Sequence, residues 1–198
     1  MNQTENKKLT LADFNDITNI GFKKFDPKVE DDLTALPEKP GNYIIVLKDI
    51  ERFPSIEGVN PHFTYVKYQG EEYPVIYTGV ASKSLYKRDY KQHFLDNNAG
   101  KSTLRKSLGC LRGFRQIKRD KKEGSTKTKF NDADEEKLSD WMRENLLLFA
   151  IENPNYDNME KALIELLNPP LNIAGTTRLP GNKEFRAKLK ELRNNKGL

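Results

Sequence analysis

A single cysteine, Cys110, excludes an internal disulfide and a cysteine-based zinc site, and points to a reducing compartment. Set in the apolar stretch SLGCLRGF, it reads as a small core thiol rather than a nucleophile. Histidine is scarce too; of the two present, His62 follows Pro61 with no polar partner nearby and reads as a loop residue. No apolar run approaches the length of a membrane span. The first residues, MNQTENKKLTLADF, lack the apolar region of a signal peptide, so the expectation is a cytoplasmic protein with no membrane partner. There is no internal repeat, no zinc motif and no helicase-like region.

What is present is charge and a moderate core. Of 198 residues, 36% are apolar and 32% charged, enough for one domain with extensions and an unusually polar surface. The net charge of +5 is unevenly spread. Between Lys101 and Lys129 stand eleven Lys or Arg against two acids, Asp120 and Glu123. A concentration of one sign attracts polyanions.

Thr10 to Phe25 is expected as a helix capped by Thr10, with Leu11, Phe14, Ile17 and Ile20 at helical spacing. The Pro-punctuated stretch from Asp26 to Pro40 reads as a linker, with residues 1–8 disordered. Asn42 to Leu47 reads as a strand apolar on both faces, covered on both sides. Phe63–Tyr68 and Tyr73–Val80, joined at Gln69-Gly70-Glu71, suggest a hairpin. Lys83–Leu95 reads as a helix. Ser102 caps the next one, STLRKSLGCLRGFRQIKR, and KKEGSTKTKF is a flexible basic loop. A helix after Asn131, a strand over Leu146–Ile151, a helix over Tyr156–Leu167 and a charged terminal helix over Lys183–Arg193 complete the chain. Trp141 reads as core. This order predicts an α/β (α+β) sandwich, a small central three-stranded antiparallel β-sheet flanked by helices, with N- and C-terminal helical extensions. The expected divisions are 1–40 for the extension and linker, 41–175 for the central domain and 176–198 for the tail.

GNYIIVL followed by VIYTGVA resembles the paired signature of the GIY-YIG nucleases, in the forms G-N-Y and Y-T-G. The resemblance continues through Arg88 and His93, and ends with the segment Glu160 to Asn172, EKALIELLNPPLN, similar to the family's closing E-x-x-L-I…P-x-x-N. It covers residues 41 to 173, with five landmarks in order. It implies a GIY-YIG-like sandwich and an endonuclease hydrolysing DNA phosphodiester bonds, double-stranded or branched, as monomer or homodimer.

Phosphodiester hydrolysis needs an activated water, stabilisation of charge on the phosphoryl oxygens and help for the leaving oxygen. The resemblance casts Tyr43 as base or water-orienter and Tyr77 as its hydrogen-bonded companion. Lowering a phenol's pKa from about 10 by roughly three units takes about 4 kcal/mol, so a metal ion is expected to share the work. Glu160 is the implied metal ligand. One carboxylate with several waters suits Mg2+, with Mn2+ as a substitute. Arg88 would neutralise charge on the phosphate, and His93 would protonate the leaving oxygen or orient the water. Arg88 and His93 stand five apart where the family has four. On a regular helix that sets them about 140° apart. A π-bulge or an offset helix start brings them together; otherwise Gln92 or Lys91 faces Arg88. Asn172 would hold the site by a hydrogen bond. Ser102, Thr103 and Arg105 are expected on the nucleic-acid backbone at a helix N-terminus, with Lys101, Lys106, Arg112 and Arg115 on the same basic face. The alternatives are a catalytically inactive nucleic-acid-binding module using the 101–129 face, and an RNA-associated structural protein.

Overall fold

The computed structural model describes residues 10–29, 35–120 and 122–195. The expected disorder of 1–8, and part of the expected linker (30–34), lie outside the described residues.

Strand β2 (Gly41–Leu47) is buried along its whole length, because its apolar residues alternate to both faces. It lies in the middle of an antiparallel sheet between β4 (Glu71–Ala81) and β7 (Leu146–Glu152). Strand β3 (Tyr65–Tyr68) joins β4 through a tight turn in which Gln69 and Gly70 both take positive φ, 51° and 87°. Such turns match the twist of a hairpin. Strand β1 (Lys23–Phe25) adds to the free edge of β7, giving the order β1-β7-β2-β4-β3. The sheet therefore has five strands rather than the expected three.

The extra edge strand comes from a segment expected to be helical. Only a 3-10 turn forms there, over Leu11–Asn15, with the Thr10 N–H donating to the Asp13 carboxylate at 2.7 Å. The chain then turns through Gly21 at φ 106°. Phe14, Ile17 and Phe22 pack on the sheet, so their spacing served a wrapping segment and not a continuous helix.

Tyr43, Ile45 and Leu47 face one side of the sheet. Packed there are α1 (Tyr86–Leu95), α2 (Thr103–Leu111), α3 (Asp132–Asn145) and α5 (Lys183–Asn194), through Phe94, Leu104, Leu138 and Phe185. Ile44 and Val46 face the other side, against α4 (Tyr156–Leu167) and the N-terminal segment. The basic helix expected to run to Arg119 stops at Leu111, where Gly113 takes φ 76°. The following residues form a two-residue hairpin, β5 (Ile117–Lys118) with β6 (Thr128–Lys129). Among the described residues, no helix is long and apolar enough to cross a membrane.

Candidate active site

Two tyrosines meet because of strand register. Tyr43 on β2 lies opposite Gly79 on β4, and Ile45 opposite Tyr77. Side chains two apart on a strand share a face, so both phenols point to the same side, with ring centroids 6.2 Å apart. The glycine of Y-T-G is a packing requirement: a Cβ at Gly79 would overlap the Tyr43 phenol. A Cβ at Gly41, which opens G-N-Y, would run into the Ile151 carbonyl of β7.

Helix α1 is wound as a π-helix, with Asp96 N donating to the Lys91 carbonyl at 2.6 Å. Its i to i+5 repeat stacks residues five apart, so Arg88 and His93 fall on one face. His93 is fully buried, with Nε2 2.9 Å from the Tyr43 hydroxyl and Nδ1 2.7 Å from Ser102 Oγ. Ser102 caps α2, its Oγ accepting the Arg105 N–H at 3.1 Å. Arg88, half-buried, lies close enough to act electrostatically on the Tyr43 phenol. Beyond Arg88 opens a cavity of about 380 Å³ lined by Lys83, Lys87 and Gln92.

The electrostatics hold these groups in particular protonation states. Burial first, then Tyr77 and Asp89, push the Tyr43 pKa well above its usual value, against the pull of Arg88. Burial raises Tyr77 as well, with Arg88 opposing. Burial, then Arg88 and Arg105, hold His93 well below the usual imidazole value, hence neutral. Burial opposes the charge on Arg88, but Tyr43, Tyr77 and Asp89 outweigh it and raise its pKa. The phenol of the resting protein is thus harder to ionise than a free one, and the 4 kcal/mol expected for its activation is too small.

Glu160, on the first turns of α4, is half-buried and within the electrostatic field of both Tyr77 and Arg88. Burial, then Asp157, raise its pKa, while Arg88 lowers it. It makes no hydrogen bond or ion pair with a described residue. Asn172 is buried, its Oδ1 accepting the Thr78 N–H and its Nδ2 donating to the Thr78 carbonyl, both at 2.9 Å. That clip fastens the loop after α4 to β4, beside Tyr77. Among the described residues, no three His, Cys, Asp or Glu cluster to hold a metal by themselves. An unpaired, half-exposed carboxylate in the field of Arg88 nevertheless fits Mg2+, which keeps several waters.

Two residues outside the expected set belong to this assembly. Asn42 donates to the Tyr156 carbonyl at 2.8 Å and accepts from Asn153 Nδ2 at 2.9 Å, tying β2 to the start of the Glu160 helix. An amide inside an otherwise apolar strand was the available signal, since buried polar groups require partners. Asp89 is fully buried with neither oxygen hydrogen-bonded, 4.0 Å from His93 Nε2. Burial raises its pKa well above the ordinary value, against the pull of Arg88.

The expected nucleic-acid face is divided. Arg105 is not on it: its guanidinium is fully buried and pairs with Glu135 Oε2 at 2.8 Å, so it has no donor left for a phosphate. Ser102 is likewise buried, inside the His93 network. Lys106 Nζ donates to the Thr128 carbonyl at 2.9 Å. The Arg112 guanidinium lies 5.2 Å from the Trp141 ring centroid. Lys101 and Arg115 are exposed, and Thr103 is partly so.

Fold and site together describe an α+β domain in which two tyrosines and a histidine meet on one face of a five-stranded sheet, with Arg88 and Glu160 within electrostatic reach of Tyr77. The family model for the GIY-YIG catalytic domain matches residues 41–195, and the chain belongs to that family of nucleases, whose members act on nucleic acid and commonly use divalent metals. No curated protein and no solved structure matches the chain.

Proposed function

We propose that the protein is a divalent-metal-dependent endonuclease that hydrolyses DNA phosphodiester bonds, with a catalytic unit spanning residues 41–175 in a reducing, cytoplasmic setting. The observation that carries this is the Tyr43 hydroxyl 2.9 Å from His93 Nε2 and beside Tyr77, with Tyr43, Tyr77 and Glu160 all in the field of the Arg88 guanidinium. The less buried groups, Arg88 and Glu160, meet the phosphate first, with Tyr77 directly behind them. Arg88 neutralises charge that builds on the phosphoryl oxygens.

Behind them, Tyr43 takes a proton from the attacking water as its own hydroxyl proton passes to His93 Nε2, so that no free phenolate is formed. The relay uses the tautomer in which Nδ1–H donates to Ser102 Oγ, which leaves Nε2 bare toward Tyr43. His93 is enclosed by Tyr43 and Ser102, which favours this relay over direct protonation of the leaving oxygen. Glu160 would hold Mg2+, or Mn2+ in its place; such a cation neutralises phosphate charge and makes nearby water more acidic. Asn172 positions by clipping β4, and touches no reacting atom. One such site cuts one strand, so a monomer nicks.

Supercoiled plasmid incubated with and without Mg2+ tests the assignment. Wild-type protein should nick it only with the metal, and Glu160→Ala should stop nicking while leaving DNA binding nearly unchanged. Binding without cleavage by the wild type, across plasmid and branched substrates, would make this a binding module instead.

A further inference from the structure

We propose that the face of α5 carrying Lys183, Arg186, Lys190 and Arg193 is a track for the phosphodiester backbone of the DNA strand as it leaves the reactive centre. The inference rests on the nuclease assignment for the identity of the strand, and on separate observations for the track.

At 100° per residue these four cations fall within about 80° of arc, and they span about 15 Å of helix. At about 3.4 Å of rise per nucleotide that length matches roughly four nucleotides of one strand. Two cavities adjoin this face, of about 410 and 210 Å³, and both are lined by Ile173 and Lys190. The first also takes in Thr103 and Arg193, the second Lys183 and Arg186, and no acid lines either. The α5 acids Glu184 and Glu191 lie on another side of the helix, where Glu191 pairs with Lys188 at 3.1 Å.

Arg186 is what separates this face from an ordinary solvated one. It is 5% exposed, yet Nε and Nη1 have no acceptor. Only Nη2 is used, on the carbonyls of Asn168 and Pro169 and on the Asn168 side chain. Buried donors without partners are costly, and a guanidinium with three unmet N–H groups lining a cavity calls for an oxyanion. Burial alone drops its pKa to about 10, consistent with a missing countercharge. Lys183 and Lys190 are exposed and ion-pair with no described residue. At the other end, Arg193 lies within the electrostatic field of Tyr77 and donates to Ser107 Oγ at 3.2 Å. The Arg193 end of the track is therefore the one nearer Tyr77, and the face runs from there past Ile173 of the Asn172 loop.

The test compares Lys183→Ala/Lys190→Ala with Lys122→Ala/Lys127→Ala, a charge-matched pair of exposed lysines on the basic loop. Each full-length protein binds a fluorescein-labelled mixed-sequence DNA duplex in EDTA, followed by anisotropy from about 50 to about 200 mM salt. Two lost phosphate contacts remove about 1.8 from the salt slope, so the wild type should lose about twelvefold more affinity over that range than the α5 variant. The loop variant should follow the wild type. An α5 variant with the wild-type slope, a loop variant flattened equally, or a wild type that binds no duplex would each overturn the track. Plasmid nicking by the wild type reports on the nuclease assignment separately. Cleavage with an unchanged α5 slope removes the track alone, whereas a flattened slope without cleavage keeps the track and removes the nuclease.

Discussion

Replacing Arg105 by methionine separates a structural role for this guanidinium from the phosphate contact suggested by its basic neighbourhood. Arg105 donates through Nε and Nη2 to Glu135 Oε2, at 3.2 and 2.8 Å. Nη1 reaches the His93 carbonyl and Ser139 Oγ, at 2.8 and 2.9 Å. Glu135 Oε1 accepts the backbone N–H groups of Ala99 and Phe130, at 2.7 and 3.2 Å. Methionine keeps the apolar stem but strands the Glu135 carboxylate without a countercharge. Breaking one side of a buried pair costs about 3–5 kcal/mol. At about 2–4 °C per kcal/mol for a chain of this size, Tm should fall by about 6–20 °C in thermal unfolding followed by circular dichroism. Adding Glu135→Gln should restore part of the loss, because the amide oxygen still accepts from Ala99 and Phe130 and no buried charge remains. A Tm within about 2 °C of wild type, together with a DNA-binding salt slope flattened by about one, would refute the structural role.

Asp89→Asn should raise Tm at neutral pH. The folded pKa of Asp89 lies above its unfolded value, so its contribution to stability is complete below about pH 4 and lost as pH rises. The advantage of the variant should therefore vanish near pH 4, and a pH-independent difference would show that the carboxylate is not the cause. An ultraviolet pH titration of wild type against Tyr43→Phe should show Tyr43 ionising only above about pH 10, the ordinary phenol value. Its folded pKa is also raised, so the stability it contributes is lost only above that pH. A phenol titrating near neutrality in the free protein would instead mean that Tyr43 is pre-activated.

The strands β2, β4 and β7 were readable because their runs are long and apolar, and α4 because its anchors keep a 3.6-residue period to the Pro169-Pro170 stop. β1 was not. Three residues, Lys-Lys-Phe, carry no pattern, and only the free edge of β7 makes them a strand. In the site, the five-residue step from Arg88 to His93 posed the question of winding without answering it, since backbone hydrogen bonding decides between α and π and no side chain announces it. Arg105 misled for a different reason. Its position in a basic run is shared with exposed neighbours, while its partner Glu135 lies thirty residues on in another helix, beyond the reach of local charge patterning.

The Asn172 clip has a bearing on assembly. β3 pairs with β4 only as far as Pro74, so the flank of β4 beyond it would otherwise stand open to a visiting strand. The carboxamide satisfies both main-chain groups of Thr78, and the Leu171 N–H takes the Ile76 carbonyl at 3.1 Å. With that border sealed from within, two copies cannot fuse their sheets there. Any pairing of two copies through their sheets would have to use β1 or the outer side of β3 instead.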